Sequence, residues 1–215
     1  MLKSVYINGG FYIGRYEAGR EKEVAVANVE KPLSQKNKCP INNIRCSEAQ
    51  KLASKVDVPE GYTSSLMFGV QWDMVMKYLE EKGATKAELK ENSVGWGNYK
   101  DSKYTITDTN VKYGTSFTPV TGTLDHNTAE DQSILLTTGA NINETPTTKQ
   151  FVKQNIYDLA GNVWEWTLER TSGSTGSCAG RGGSYGNVGS SHASCHIYCH
   201  PTSSLSSIGF RVALY

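Results

Sequence analysis

Apolar and polar positions follow two different rhythms along this chain, separated by long stretches with neither. Near the start, Val5 to Ile7 and Phe11 to Ile13 are β-rich runs on either side of Asn8-Gly9-Gly10. An Asn-Gly pair between such runs predicts a hairpin. A helical rhythm begins at Ser47, which with Gln50 three residues on has the pattern of an N-cap and its capping box. Ala49, Leu52, Ala53 and Val56 then share one face, and Pro59 and Gly61 close the helix. Val70 to Lys82 predicts a second helix that buries Trp72, Val75, Met76 and Leu79, turns Asp73, Lys77 and Glu80 outward, and stops at Gly83. The Trp–Met stripe is read as core. Thr85 to Glu91 adds a further helical turn.

The remainder is less periodic. Glu21 to Asn43 is polar and irregular and is read as an insertion. From Asn92 to Lys153, short β-like runs at Tyr104 to Thr107 and Ile134 to Leu136 alternate with Gly, Asn, Asp and Thr. This part is read as loop-rich surface, because it lacks the apolar mass for a core of its own. After Asn155, short strands are expected at Asn162 to Leu168, Gly180 to Tyr185 and Gly209 to Tyr215. The last sets Phe210, Val212 and Leu214 against Arg211 and Ala213, which predicts one buried face and pairing near the N-terminal hairpin. Trp164 and Trp166 share a side by alternation and are read as structural, one buried and one half-buried. The resulting class is α+β.

Composition narrows the picture. A chain of 215 residues with 38% hydrophobic content forms one domain, residues 1–215, with a core of moderate richness. A net charge of +1 and the lack of a basic run argue against nucleic acid as a partner. No apolar stretch reaches membrane-spanning length, so membrane insertion is not expected. The segment from Met1 to Tyr6 lacks the apolar centre of a signal peptide, so export is expected to rely on something outside this chain or on carriage by a virion. Five cysteines do not suggest a disulfide scaffold, although a Cys39–Cys46 bridge around Pro40 is conceivable.

The strongest contrast lies in the last third. Asn155 to Trp166, Arg181-Gly182-Gly183-Ser184-Tyr185 and Ile208 to Arg211 are rich in aromatics, glycines and paired charges. Between them, Gly186 to Ser207 is almost uncharged and consists largely of Ser, His, Cys, Gly and Tyr. The flanking motifs Gly161-Asn162-Val163-Trp164-Glu165-Trp166, Arg181 to Ser184 and Gly209-Phe210-Arg211 resemble the formylglycine-generating enzyme (sulfatase-modifying factor) family, with weaker likeness at Phe11 to Glu17 and Gln71-Trp72. That resemblance implies a C-type-lectin-like fold with two helices, small antiparallel sheets and long loops. It departs from the family at the chemistry. A reactive cysteine there follows the Arg-Gly-Gly-Ser motif closely and a second follows shortly after, whereas the matching positions here are Asn187 and His192. Neither side chain replaces a thiolate nucleophile and metal ligand.

The same frame resembles the variable proteins of diversity-generating retroelements, which carry a randomised segment between two such motifs. Randomising the adenines of Asn-type codons cannot produce Lys, Glu, Gln, Met or Trp. These five types make up about a fifth of the whole chain, yet none occurs from Gly186 to Ile208. At average usage, chance absence over this stretch is below about one in a hundred. Loop composition disfavours large apolar residues but does not explain the missing Lys, Glu and Gln. The candidate ligand contacts are therefore Gly186, Asn187, Val188, Ser191, His192, Cys195, His196, Ile197, Tyr198, Cys199, His200, Ser203, Leu205, Ser206 and Ser207, with Gly189, Ala193, Pro201 and Thr202 holding the loop shape. Such a surface has the chemistry of a paratope, and Tyr198 with Ile197 is its expected hot spot.

Two metal readings accompany this one. Cys195, His196, Cys199 and His200, with His192 nearby, offer the sulfur and nitrogen ligands that zinc takes, although randomised codons yield the same residues without a metal. The family resemblance also implies calcium, held by the side chains of Asp158 and Glu165 and the carbonyls of Gly161 and Val163. The alternative is that Asp158 and Glu165 hydrogen-bond the loop and pair with Arg181 or Arg211. The leading functional reading is a non-enzymatic binding protein without a cofactor, displayed multivalently on a phage tail or bacterial surface and recognising a cell-surface protein or glycan. The alternatives are a formylglycine-generating-type oxidase with copper on Cys195 and Cys199, and a plain structural decoration domain.

Overall fold

The computed structural model describes residues 6–7, 9–21, 24–106, 110–114, 118–120, 122–125, 135–140, 152–170 and 178–215. Val5, Asn8, Thr107 and Ile134, which figure in the expected strands, lie outside them. In chain order the elements are β1 (Tyr12–Ile13), β2 (Gly19–Arg20), β3 (Cys39–Pro40), α1 (Cys46–Ala53), β4 (Ser64–Leu66), α2 (Gly69–Glu81), α3 (Lys86–Lys90), β5 (Lys103–Ile106), β6 (Gly122–Asp125), β7 (Val152–Lys153), β8 (Ile156–Tyr157), β9 (Trp164–Arg170), β10 (Cys178–Arg181), β11 (His196–Cys199), β12 (Ile208–Phe210) and β13 (Val212–Leu214).

A four-stranded sheet in the order β11-β10-β9-β12 and a three-stranded sheet in the order β1-β13-β4 organise the molecule. Helices α1 and α2 lie over the two sheets, and this is the C-type-lectin-like arrangement. The larger sheet is not wholly antiparallel, because β12 runs parallel to β9, with Gly209 opposite Glu165. The chain does not continue from β12 as one strand. It breaks at Arg211 and enters the other sheet as β13, where Leu214 faces Tyr12 and Ser64. The expected alternation fails there for the same reason. Phe210, Arg211, Val212 and Ala213 are all buried, since the switch between sheets passes through the core.

The N-terminal hairpin is also corrected. Tyr6 and Ile7 are helical and exposed, while Tyr12 and Ile13 pair with β13 instead of with a strand before them. The Asn-Gly signal is local, and the edge offered by β13 outcompetes it.

The helices follow their stripes. In α2, Trp72, Val75, Met76 and Leu79 are buried, and Gly83 takes φ +97° just beyond the end, a backbone state that favours glycine. The N-cap of helix α1 lies two residues before Ser47, the expected cap. Its N-cap is Arg45, whose backbone N–H donates to Glu48 Oε2 at 3.0 Å, so the reciprocal partner is Glu48. Gln50 instead accepts from the backbone of Leu66 at 3.0 Å and so ties α1 to β4. Thr85 caps α3 reciprocally with Glu88, so the further helical turn expected over Thr85 to Glu91 is formed.

One core cluster gathers Ile41, Ile44, Leu52, Leu66, Trp164, Trp166, Ile208 and Phe210, and a second gathers Met67, Trp72, Leu79, Leu89, Trp96, Tyr99 and Leu159. Both Trp164 and Trp166 are buried, so neither is half-exposed. The 21–43 stretch contributes Val29, Cys39 and Ile41 to the interior, and β3 pairs with β2. The loop-rich middle also has a small core of its own, with Ile106, Val111, Val120, Leu136 and Ala140 in contact. Its few apolar residues are widely spaced in sequence, so no periodicity marked them. Cys39 and Cys46 are free thiols. The first donates to Gly114 O at 2.7 Å and the second lies near Thr167 O, so the conceivable bridge is not formed.

Candidate functional site

The Arg181-Gly-Gly-Ser motif turns the chain out of β10 and into the variable segment. Gly182 and Gly183 have φ of +94° and +82°. A Cβ on Gly183 would strike the carbonyl oxygen of Ser191, so two glycines are needed to let the segment fold back on the motif. Arg181 then clamps it. Its guanidinium donates to Glu169 at 2.7 Å and to the carbonyl of Ser194 at 3.1 Å, and it meets Asp73 at 3.3 Å.

The rest of the segment is held chiefly through its backbone. Lys100 N–H donates to the carbonyl of Asn187 at 2.9 Å, and Ser93 N–H donates to that of Gly189 at 2.9 Å. Gly189 N–H donates to Asp101 at 2.9 Å, and Ala193 N–H to the Ser93 hydroxyl at 2.9 Å. The Trp72 indole donates to Ala193 O at 3.0 Å. Ser194 N–H reaches Leu89 O at 3.1 Å, and Gly182 N–H reaches Cys195 O at 3.2 Å. Strand β11 is laddered to β10. At the far end, Asn43 N–H donates to Leu205 O at 3.0 Å, the Asn42 amide to Ser206 O at 2.7 Å and Trp164 N–H to Ser207 O at 2.8 Å. The partners outside the segment in this set come from the α2 and α3 helices, the loop after α3, Asn42 and Asn43, and the flanking motifs. The partners from Leu89 to Asp101 had no sequence signal, because a backbone-directed contact leaves no mark on the residue it holds.

Side-chain exposure sorts the candidates. Gly186, Val188, His196, Tyr198, His200, Leu205 and Ser206 are exposed, and Asn187, Ser191, His192, Cys195, Ile197, Cys199, Ser203 and Ser207 are half-buried. Of the four residues read as shape-holding, Gly189 and Ala193 are buried, Pro201 is half-buried and Thr202 is exposed. Tyr198 is 62% exposed, and its ring lies 4.8 Å from that of His196. Strand alternation turns Ile197 and Cys199 the other way, against the first core cluster, so Tyr198 and Ile197 do not form one hot spot. Asn187 also differs from its neighbours. Its Oδ1 accepts from the Trp164 indole at 2.9 Å and from the Ser184 hydroxyl at 2.7 Å. Its side chain thus faces the frame.

The same alternation decides the cysteine–histidine reading. Cys195 and Cys199 sit four residues apart in extended chain, about 13 Å at the usual rise, too far to share one ion. His196 points to the opposite face from Cys199. His192 Nδ1 lies 3.1 Å from the Ser194 hydroxyl, and His200 Nδ1 lies 2.7 Å from that of Thr202. Burial pushes the thiols of Cys195 and Cys199 up and the His192 imidazole down, away from the charged form in each case. These residues fit neither zinc nor copper, and no group of three or more His, Cys, Asp or Glu suited to a metal occurs among the described residues.

The calcium positions meet a different obstacle. Glu165 spends both carboxylate oxygens on Arg211, at 2.6–3.1 Å, and Arg211 is fully buried. Asp158 accepts from Gly139 N–H at 2.6 Å. Arg211 also donates to the carbonyls of Gly14 and Tyr157 at 2.9 and 2.7 Å. Glu17, 0% exposed, joins the cluster by accepting from Val163 N–H at 3.2 Å and from the Asn162 amide at 2.6 Å. A guanidinium therefore already supplies the positive charge beside these carboxylates, and the side chains do not fit a calcium ion without displacing it. Arg181 takes no part, being bound to Glu169. Burial pushes all three acids up, Asp158 to about 7, with Arg211 pulling the other way.

Comparisons with known proteins agree with the fold. A family profile described as the sulfatase-modifying factor enzyme 1-like domain matches residues 3–215. No curated protein matches the sequence. Among solved structures, variable protein 1 of Treponema denticola is similar with a TM-score of 0.51 at 14% identity, over 94% of this chain and 84% of that one. PvdO of Pseudomonas aeruginosa is similar at 0.48 and 15% identity, over 95% and 80%. CarF is similar at 0.41 and 17% identity; the match covers 73% of this chain but spans only 49% of CarF.

Proposed function

The chain belongs to the sulfatase-modifying factor enzyme 1-like family, and on that premise we propose that it is a non-enzymatic binding protein whose ligand surface is the segment 186–207, diversified by a retroelement. The observation that carries this reading is the way the segment is held. Its shape depends on backbone groups bonded to the frame, so side chains at the exposed positions can change without changing the loop. The absence of Lys, Glu, Gln, Met and Trp from the segment supports the same reading. Two observations count against the enzymatic alternative: Asn187 accepts from the Trp164 indole where that family has a cysteine, and Cys195 and Cys199 are too far apart along extended chain to share a copper ion.

On this proposal the ligand is a protein or glycan on a cell surface, and the domain is displayed in several copies on a phage tail or bacterial surface. One face of this size binds modestly, and linked copies raise the effective concentration. The test is a library randomised at Val188, His196, Tyr198, His200 and Leu205. Members are expected to unfold within roughly 0.5 kcal/mol of the parent, as surface substitutions do, while differing widely in which cells they bind. Uniform cell binding across the library would overturn the proposal, as would turnover of a cysteine-containing sulfatase peptide with added copper. A near-identical genomic repeat of this segment with Asn codons, beside a reverse transcriptase gene, is the expected genetic context.

A further inference from the structure

A groove of about 650 Å³ opens beside the C-terminal part of the variable segment and is built almost wholly by the frame. The 3-10 turn Val26–Asn28 forms one wall, α1 forms the other and Ser204 closes an end. Its floor is aliphatic. Val29, Ile44 and Leu52 are buried members of the first core cluster, with Val26 packed on them. Its rim is cationic. Arg45, Lys51 and Lys55 line it, with Glu48 as the single acid. Glu48 is already engaged, accepting the Arg45 N–H at 3.0 Å and lying 3.9 Å from the Arg45 guanidinium. No ion pair involves Lys51 or Lys55 among the described residues, so the rim presents uncompensated positive charge over an apolar floor.

The groove is continuous with the variable surface. Asn43, which lines it, holds Leu205 by a 3.0 Å backbone bond, and neighbouring Asn42 holds Ser206. A ligand lying across Leu205 and Ser206 therefore meets the groove next. Its volume falls in the range of sites that seat small ligands or side chains.

We infer that this groove is a second binding site, formed outside the candidate contact positions, that takes an acidic segment of a partner protein with an aliphatic side chain seated on Val29, Ile44 and Leu52. Charge complementarity selects an anionic partner. The floor selects a peptide over an acidic glycan, because sugar rings are gripped through aromatic faces and no Phe, Tyr or Trp among the described residues lines the groove. The site would anchor a protein ligand in one orientation while the neighbouring variable side chains discriminate among such ligands.

The test is methyl NMR of the full chain titrated with a short peptide in which a leucine pair is flanked by aspartates. Two controls replace the aspartates with lysines or the leucines with serines. Saturable shifts at the methyls of Val26, Val29, Ile44 and Leu52 are expected with the first peptide only. The double variant Lys51→Glu/Lys55→Glu, at exposed positions that leave the fold intact, is expected to weaken binding by roughly tenfold or more, as opposed rim charges do. Ala27→Trp fills the groove without changing its charge and is expected to abolish the shifts. Lack of saturable shifts at those methyls, an equal response to the lysine peptide, unchanged binding by the charge-reversed variant, or tighter binding of an oligogalacturonate would each overturn the inference. The groove variants leave the exposed variable positions intact, so failure here leaves the library test above undecided, and the converse also holds.

Discussion

Asn187 shows how position in a variable segment and contact with a ligand come apart at the scale of one residue. It falls where the family carries its reactive cysteine, and its amide oxygen instead satisfies the indole of Trp164 and the hydroxyl of Ser184. Buried polar groups left without partners cost about 1–3 kcal/mol each. Asn187→Ala strands the Trp164 indole N–H and is expected to destabilise the protein by that amount, read from the urea midpoint. Val188→Ala, one residue further on and exposed, is expected to shift it by less than about 0.5 kcal/mol. Equal effects at the two positions would mean that Asn187 is as free as its neighbour. Composition placed both residues in one class, because a codon restriction records which side chains are allowed and not which way they point.

At the scale of an element, β11 divides its labour by face. His196 and Tyr198 look outward with their rings in tilted contact, while Ile197 and Cys199 lie on the core. Ile197→Ala removes half-buried methylenes and is expected to cost about 1 kcal/mol at the usual rate per buried carbon. Tyr198→Ala is expected to leave the midpoint unchanged and to abolish cell binding instead. A loss of stability at Tyr198 with none at Ile197 would reverse the assigned faces. Elements of this kind were legible in sequence where rhythm and packing agree. The α2 stripe emerged as expected, as did the pairing of the C-terminal strand with Tyr12 and Ile13. The N-terminal hairpin and the unbroken last strand did not emerge, since each depended on which distant edge was free. The segment 186–207 was set apart in sequence by its composition and its flanking motifs. The groove beside it was not, because its floor is ordinary core and its rim ordinary helix surface until the 3-10 turn is set opposite.

At the scale of the whole molecule, Glu17, Asp158, Glu165 and Arg211 join the N-terminal stretch, the loop before β9, β9 itself and the crossing between the two sheets. Three buried carboxylates face one guanidinium, so full ionisation leaves an excess of negative charge in a poorly solvated place. Asp158, pushed up to about 7 chiefly by burial, holds a proton in the folded state where the unfolded chain has released it. The folded state then binds more protons than the unfolded state between about pH 4 and 7, and stability must fall as pH rises through that window. The contribution is complete below the unfolded value and gone above the folded one; Glu17 and Glu165, raised in the same direction, add to it. The urea midpoint is therefore expected to be higher near about pH 5 than near about pH 8. Asp158→Asn keeps an acceptor for Gly139 N–H while removing the titrating group, so it is expected to flatten this slope and raise the midpoint at the higher pH. Equal midpoints for the parent at both values would show that the cluster is fully ionised and that Arg211 alone balances it, and an unchanged slope in the variant would show that Asp158 is not the group that titrates. Since this junction fixes β12 and β13 at the end of the variable segment, a protein loosened here at high pH is also expected to lose ligand binding there, with no exposed side chain changed.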